Sequence, residues 1–411
     1  MTRTHRWLAV GVLLAPLWLL AAWLLGDTAV PDGLELPPID TDAVFGAGLV
    51  DDAADYEVFL YVAWFLEQAV RLGVLLLYAR KGVRFARESA AGPIGTGVLL
   101  GMLGLGLAWL AGLPFTVARL WWDRRHEVSD VGYVEAIVGD WLALGATFVS
   151  ISFAVLVVMF LARLIGDFWW IPGAAVFTGI VAFFVVVSPY LTTGADRLDD
   201  PALNASAERY EESQGVEGDI PVFVEEVSGE TSEANAYATG LGPTRRIYLW
   251  DTLLDGRFDD DAEEMVLAHE IAHHSGGHLV ETIWWFGLFA LPSSYLLMLV
   301  TRRRGGMGAP EAVPLALFVT VTFYLALTPV QNLVSRRMEA EADWKALEST
   351  RDPDAMRRLM RGFAETSLGN PSPPGWAKVL FDTHPPLADR ISMAEAWRVR
   401  SEPAGGAANA P

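Results

Sequence analysis

Seven long apolar stretches constrain the fold of this 411-residue chain more than any other feature of its sequence. A helix needs about 20 apolar residues to cross the hydrocarbon core of a bilayer. Arg3 and Arg6 precede the first stretch, as in a signal peptide, but no clear small-residue cleavage site follows Gly26. The sequence therefore predicts seven membrane spans, at approximately residues 7–25, 58–78, 98–120, 141–164, 171–191, 282–300 and 314–334.

The net charge of −20 lies almost wholly outside these stretches. Residues 26–57 carry nine acidic and no basic side chains, and residues 192–280 carry twenty acidic and five basic side chains, a net charge of −15. Segregation of this kind explains how a chain that is 52% hydrophobic can be strongly acidic. An acidic surface disfavours nucleic acid as a partner. It is more typical of a solvated face than of a docking site.

The spans divide the chain into five regions. Residues 1–191 hold the first five spans, residues 282–334 hold spans six and seven, and residues 401–411 form a small-residue tail that we expect to be disordered. Residues 192–281 and 335–400 are the two halves of one polar domain. In the first half, residues 220–227, 234–240 and 246–250 have strand-like composition, and the Gly240–Pro243 turn predicts a hairpin between the last two. The polar domain is therefore expected to be of the α+β class.

A helix over residues 262–275 is predicted by the acidic cluster at 259–261, which is typical of a helix start. This helix carries His269, Glu270 and His273 in an HExxH pattern. Two His residues one turn apart can bind one zinc ion, with the adjacent Glu as general base. The chain has no Cys, so only His and carboxylate side chains remain as zinc ligands. A solvated, His-rich helix end is the alternative interpretation.

A third ligand is predicted on the helix that continues from the last span. Positions 332, 336, 339 and 343 are spaced by four, three and four residues, which places Asn332, Arg336, Glu339 and Asp343 on one helical face. We assign Glu339 as the third zinc ligand and Asp343 as the carboxylate that orients a ligating His. An ion pair between Arg336 and Glu339 on a charged face is the alternative.

Taken together and in order, these motifs resemble the integral-membrane CAAX prenyl proteases, which are zinc metalloendopeptidases with a split catalytic domain of the gluzincin type. The resemblance implies a mainly α-helical fold, in which seven helices enclose a water-filled chamber with the catalytic domain at one end. One departure is His274, which stands where relatives commonly have an aromatic residue and is either another metal contact or a surface residue. The matching stretches are residues 113–115, 124–126, 235–240, 246–254, 269–278, 329–343, 383–386 and Arg390.

The resemblance also implies roles that the pattern alone does not. Asn235 and Ala236 would belong to an edge strand that pairs with an extended substrate. His384 would stabilise the oxyanion and Arg390 would position it. One Zn²⁺ per chain would activate water, with Glu270 as general base. The implied activity is endopeptidase hydrolysis of a peptide or protein that is lipidated or embedded in the membrane.

Two alternatives stay open, and so does the orientation. A broad-specificity quality-control metalloprotease would use the same chemistry, whereas a non-hydrolytic zinc-binding membrane protein would have no need of Glu270. The expected location is a bacterial plasma membrane. Ten Lys and Arg residues flank the spans on the side of the N-terminus and three on the other side, which predicts a polar domain outside the cytoplasm. Eukaryotic proteins of the resembled family have theirs in the cytosol.

Overall fold

A computed structural model describes residues 16–17, 19–86, 89–192 and 194–401. Among these residues, five helical stretches are long and apolar enough to cross a membrane: Ala47–Lys81, Gly92–Arg125, Tyr133–Leu191, His278–Arg304 and Pro310–Thr350. The third stretch comprises two helices joined by a 3₁₀ turn, and these correspond to the fourth and fifth predicted spans. The first predicted span lies mostly outside the described residues, so the count of seven remains a prediction.

Residues 19–26 are also helical. The helices beyond them are numbered in chain order as α1 Thr41–Phe45, α2 Ala47–Lys81, α3 Val83–Ala86, α4 Gly92–Arg125, α5 Tyr133–Ile165, α6 Trp170–Leu191, α7 Pro201–Ser213, α8 Asp260–Ser275, α9 His278–Thr301, α10 Val313–Thr350, α11 Pro353–Ser367, α12 Gly375–Leu380 and α13 Leu387–Ser401.

The long helices pass through internal prolines without ending. Pro329 lies inside α10, which runs unbroken from the last predicted span into the polar domain. A proline within a helix removes one backbone hydrogen bond and bends the helix, and neighbouring helices make this tolerable inside a membrane. Between the membrane helices, the buried Glu67 of α2 pairs with Arg71 of the same helix and with Arg119 of α4. The buried carboxylate of Glu67 is therefore paired with two arginine side chains within the helix bundle.

A four-stranded sheet forms one wall of the polar domain. Its strands are β1 Ala195–Arg197, β2 Val222–Glu225, β3 Ala236–Thr239 and β4 Arg246–Trp250, in the order β1-β2-β4-β3. Strands β2 and β4 are parallel, and β1 and β3 pair antiparallel on the outside. The predicted hairpin is confirmed as β3 and β4, whereas β1 was not predicted. Gly240 ends β3 with φ of +82°, and a Cβ there would lie 2.0 Å from the carbonyl oxygen of Thr244.

The core of the polar domain lies between the sheet and helices α7, α8, α10, α11 and α13. Ile247, Leu249, Met265 and Leu267 are fully buried in it. Residues 30–50 of the acidic N-terminal segment pack against the same core and contribute the buried Phe45. The acidic composition of residues 26–57 favours a solvated surface, but part of this segment is buried, and α2 already begins at Ala47. The predicted region 1–191 thus supplies part of the polar domain's core.

Candidate active site and metal centre

Helix α8 places the HExxH residues in the interior of the polar domain. Its start is fixed by Asp259, whose side chain accepts a hydrogen bond from the backbone N–H of Ala262 at 2.9 Å. Around His269 and Glu270 the helix is surrounded by other elements, and both residues are only 6% exposed. A buried imidazole requires polar partners, and α10 supplies those of His269.

Three donor atoms converge between α8 and α10. Nε2 of His269 lies 3.2 Å from Nε2 of His273 and 3.1 Å from Oε2 of Glu339. The remaining distance, between His273 Nε2 and Glu339 Oε2, is 3.7 Å. Ligands bound at about 2.0–2.1 Å around a tetrahedral zinc ion lie about 3.3 Å from one another. The group therefore has the donor types and the spacing needed to hold a metal ion of this kind.

The far side of His269 is held by a buried ion pair. Its Nδ1 lies 2.9 Å from Oδ1 of Asp343, and Arg390 donates two hydrogen bonds to the same carboxylate, at 2.8 and 2.6 Å. Burial would lower the pKa of Arg390, but the adjacent Asp343 raises it. Burial would likewise lower the pKa of His269, but its bonds to Asp343 and Glu339 raise it to about 10. Arg390 thus reaches His269 through the carboxylate of Asp343, and its side chain also lines the cleft beside the metal group.

Glu270 and the edge of the sheet face one cleft of about 380 Å³, which also borders His269 and His273. Burial raises the pKa of Glu270, and the neighbouring histidines partly offset this effect. The backbone carbonyl of Asn235 accepts a hydrogen bond from Trp250 at 3.0 Å. Ala236 then begins β3, which has no further strand on its outer side among the described residues. The cleft therefore combines a buried carboxylate, the metal group and a strand edge.

His384 reaches the metal group from the C-terminal part of the chain. Its Nε2 lies 3.3 Å from Oε2 of Glu339, and its side chain is 55% exposed. Two residues of α10 hold the segment before it: Asn332 donates to the carbonyl of Val379 at 3.3 Å, and Arg336 donates to the carbonyls of Lys378 and Asp382. Asn332 and Arg336 therefore position this segment rather than the metal group. Among the described residues, Arg336 forms no ion pair with Glu339.

The two remaining histidines near the site face different ways. His274 Nε2 lies 3.3 Å from the carbonyl of Arg246, and burial lowers its pKa to about 4. It thus faces the sheet and not the metal group. His278 lies against the outer nitrogen of His273, at 2.9 Å. The sequence pattern did not predict this contact, because a helix end separates the two residues.

Comparisons with known proteins agree with this arrangement. The model of peptidase family M48 matches residues 198–398. The fold is similar to that in the crystal structure of S. mikatae Ste24p, with a TM-score of 0.66 and 18% identity over 93% of this chain and 96% of that one. The fold prediction, a mainly α-helical membrane protein with a small α+β domain, is thereby confirmed.

Three relatives show the range of proteins to which this sequence is similar. The uncharacterised metalloprotease YhfN of Bacillus subtilis is 26% identical over 64% of this chain and 63% of its own. A CAAX prenyl protease 1 homologue of Oryza sativa is 29% identical over 42% of this chain and 43% of its own. A protease HtpX homologue of Bacillus pumilus is 30% identical over 41% of this chain and 61% of its own.

The chain thus covers less than two thirds of the length of each of these relatives. With five apolar helical stretches and a Ste24p-like fold, it is a multi-pass integral membrane protein. The part of the chain that matches the model of peptidase family M48, residues 198–398, contains the HExxH helix, Glu339 and Arg390.

Proposed function

We propose that this protein is an integral-membrane, zinc-dependent endopeptidase of the CAAX prenyl protease type. One observation carries the proposal. Nε2 of His269, Nε2 of His273 and Oε2 of Glu339 converge at 3.1–3.7 Å, in a cleft that Glu270 also lines. A structural zinc site would be closed by a fourth protein ligand and would not need a carboxylate base.

The proposed cofactor is a single Zn²⁺ ion held by these three ligands. When bound, it would polarise the scissile carbonyl and lower the pKa of a water molecule to about 7. Glu270 would take the proton from the attacking water and deliver it to the leaving amine. Burial suits Glu270 to this task, because a raised pKa lets the carboxyl group hold the proton between the two transfers.

His384 is proposed to act on the other side of the cleft. Its half-exposed ring stands beside Glu339 and would donate a hydrogen bond to the carbonyl oxygen as negative charge develops there. A single donor of this kind contributes about 3 kcal/mol to catalysis. Arg390 is proposed to contribute through Asp343, by keeping His269 in its ligating orientation.

Substrate would bind along β3. Among the described residues no strand pairs with the outer edge of β3, which borders the cleft beside the metal group, so an extended peptide could add to the sheet there; the backbone N–H of Ala236 donates meanwhile to Oδ1 of Asn235 at 2.9 Å. Asn235 and Ala236 are proposed to pair with the residues next to the scissile bond. The substrate would thus be a peptide or protein, lipidated or embedded in the membrane.

A second candidate is a membrane protease of broad specificity, which is favoured by the matches to HtpX homologues at about the same identity as the CAAX prenyl protease match. Cleavage of a farnesylated CAAX peptide but not of unmodified casein would support the first candidate, and the reverse result would support the second. Cleavage of either substrate should stop when a chelator removes the metal and return when zinc is added. Absence of zinc from the purified wild-type protein would contradict both candidates.

A further inference from the structure

The outer nitrogens of the two proposed zinc-binding imidazoles are both occupied, but by different partners. His269 presents Nε2 to the metal group and Nδ1 to Asp343. His273 also presents Nε2 to the metal group, and its Nδ1 lies 2.9 Å from Nδ1 of His278. His278 thus stands beside His273 as Asp343 stands beside His269.

The position of the proton on each ring decides which of the two histidines, His273 or His278, is the hydrogen-bond donor. An imidazole that binds a metal through Nε2 carries its proton on Nδ1. His273 must therefore donate to His278, whose Nδ1 accepts and whose own proton lies on Nε2. That Nε2 is buried, has no hydrogen-bond partner among the described residues, and lies 3.9 Å from Oε1 of Glu341. Glu341 is in turn paired with Lys345 at 3.4 Å.

Local geometry keeps His278 in place. Helix α8 ends at Ser275, and Gly277 turns the chain with φ of +69° so that His278 becomes the first residue of α9. A Cβ on Gly276 would lie 2.6 Å from Nε2 of His278, so the ring packs directly against this glycine. His278 is only 3% exposed. Its ring therefore has little freedom to leave His273.

We infer that His278 is a positioning residue for the second zinc ligand: it accepts the Nδ1–H hydrogen bond of His273 and thereby fixes the ring that presents Nε2 to the metal. This inference rests on the proposed zinc site. It links that site to the membrane, because α9 is one of the helices long enough to span a bilayer. Partners of this kind change metal affinity by about 10- to 100-fold when they are removed.

Two near-isosteric variants test the hydrogen bond itself. In His278→Asn, the amide oxygen occupies the position of Nδ1 and can still accept from His273. In His278→Gln, the amide lies one bond farther along the side chain, near the position of Nε2, so no acceptor remains at the position of Nδ1. We expect the zinc Kd, measured by competition with a chelator on the full-length protein in detergent, to stay within about threefold for Asn and to rise about 10- to 100-fold for Gln.

The control is His274→Gln, which alters the neighbouring histidine that faces the sheet and should leave the zinc Kd unchanged. Circular dichroism establishes that each variant is folded. Equal zinc affinity in wild type and His278→Gln, or equal weakening by Asn and Gln, would overturn the inference while leaving the proposed function intact. Failure of the wild type to bind zinc would overturn the proposed function, and the inference with it.

Discussion

At the scale of single residues, the site depends on the buried ion pair of Asp343 and Arg390. Asp343 is completely buried, and its carboxylate receives hydrogen bonds from Arg390 while holding His269. Removing one member of a buried pair leaves an uncompensated charge, which costs about 3–5 kcal/mol. Removing both members costs less than the sum of the single losses, because no charge is then left alone.

Asp343→Ala should accordingly destabilise the metal-free protein by about 3–5 kcal/mol, and Arg390→Met added to it should recover part of this loss. Unfolding in detergent with chelator present measures both effects. The exposed pair of Asp354 and Arg398 supplies the control, since Asp354→Ala should cost less than about 1 kcal/mol. Losses at Asp343 and Arg390 that simply add, within about 0.5 kcal/mol, would show that the pair is not coupled.

At the scale of elements, α10 does most to build the site. One face of this helix supplies Glu339 and Asp343 to the metal group, and the same face holds the 378–382 segment through Asn332 and Arg336. The register of this face was predictable from the spacing of its residues. The target of Arg336 was not, because a carbonyl 46 positions away along the chain has no sequence pattern that marks it as a partner.

Arg336→Met should therefore impair turnover without impairing metal binding. Loss of its bonds to the carbonyls of Lys378 and Asp382 would loosen the segment that carries His384. We expect kcat/KM to fall about tenfold, which corresponds to about 1.4 kcal/mol, while the zinc Kd stays within about twofold. Arg337→Met is the matched control, since Arg337 donates to the carbonyl of Asp27 instead. A zinc Kd raised as strongly as the loss in kcat/KM would assign Arg336 to the metal group.

The β3–β4 hairpin offers a test of the substrate edge. In Gly240→Ala, the new Cβ would meet the Thr244 carbonyl at 2.0 Å, so the turn must shift and β3 with it. We expect KM for a peptide substrate to rise and stability to fall by more than about 1 kcal/mol. Gly242→Ala is the control, because φ is +56° there and a Cβ meets nothing within 4 Å, so its cost should be about 1 kcal/mol and KM should not change. An unchanged KM for Gly240→Ala would argue against β3 as the substrate strand.

The hairpin also shows where sequence reasoning succeeds. A turn with Gly240 and Gly242 between two strand-like runs predicts an antiparallel hairpin, and the structure has this hairpin. His278 shows where it fails. Its contact with His273 depends on the angle at which α9 leaves α8, and that angle is set by the φ of Gly277 rather than by any periodicity.

At the scale of the whole molecule, the polar domain is assembled from distant parts of the chain. Helices α6, α9 and α10 all meet it at one end, so this end of each helix lies on one side of the membrane. Residues 30–50 cover its core, although their acidic composition indicated a solvated loop. Composition misled here because the few apolar residues among the charges are the ones that pack.

The orientation prediction belongs to this scale. The Lys and Arg count predicts that the polar domain lies outside the cytoplasm, and the basic residues 302–304 after α9 lie at the opposite end of that helix from His278. Alkaline phosphatase fused after Ala404 should therefore be active in a bacterial host, and a fluorescent protein fused at the same site should be dark. Fluorescence without phosphatase activity would place the domain in the cytoplasm.

We propose that a metal held by His269, His273 and Glu339 and a base at Glu270 together hydrolyse peptides. A direct test measures zinc content and peptide hydrolysis on the same preparations of wild type and Glu270→Gln. We expect one zinc ion per chain in both, with hydrolysis reduced about 10²- to 10⁴-fold in the variant. Zinc-loaded Glu270→Gln that hydrolyses the peptide at the wild-type rate would rule out Glu270 as the base.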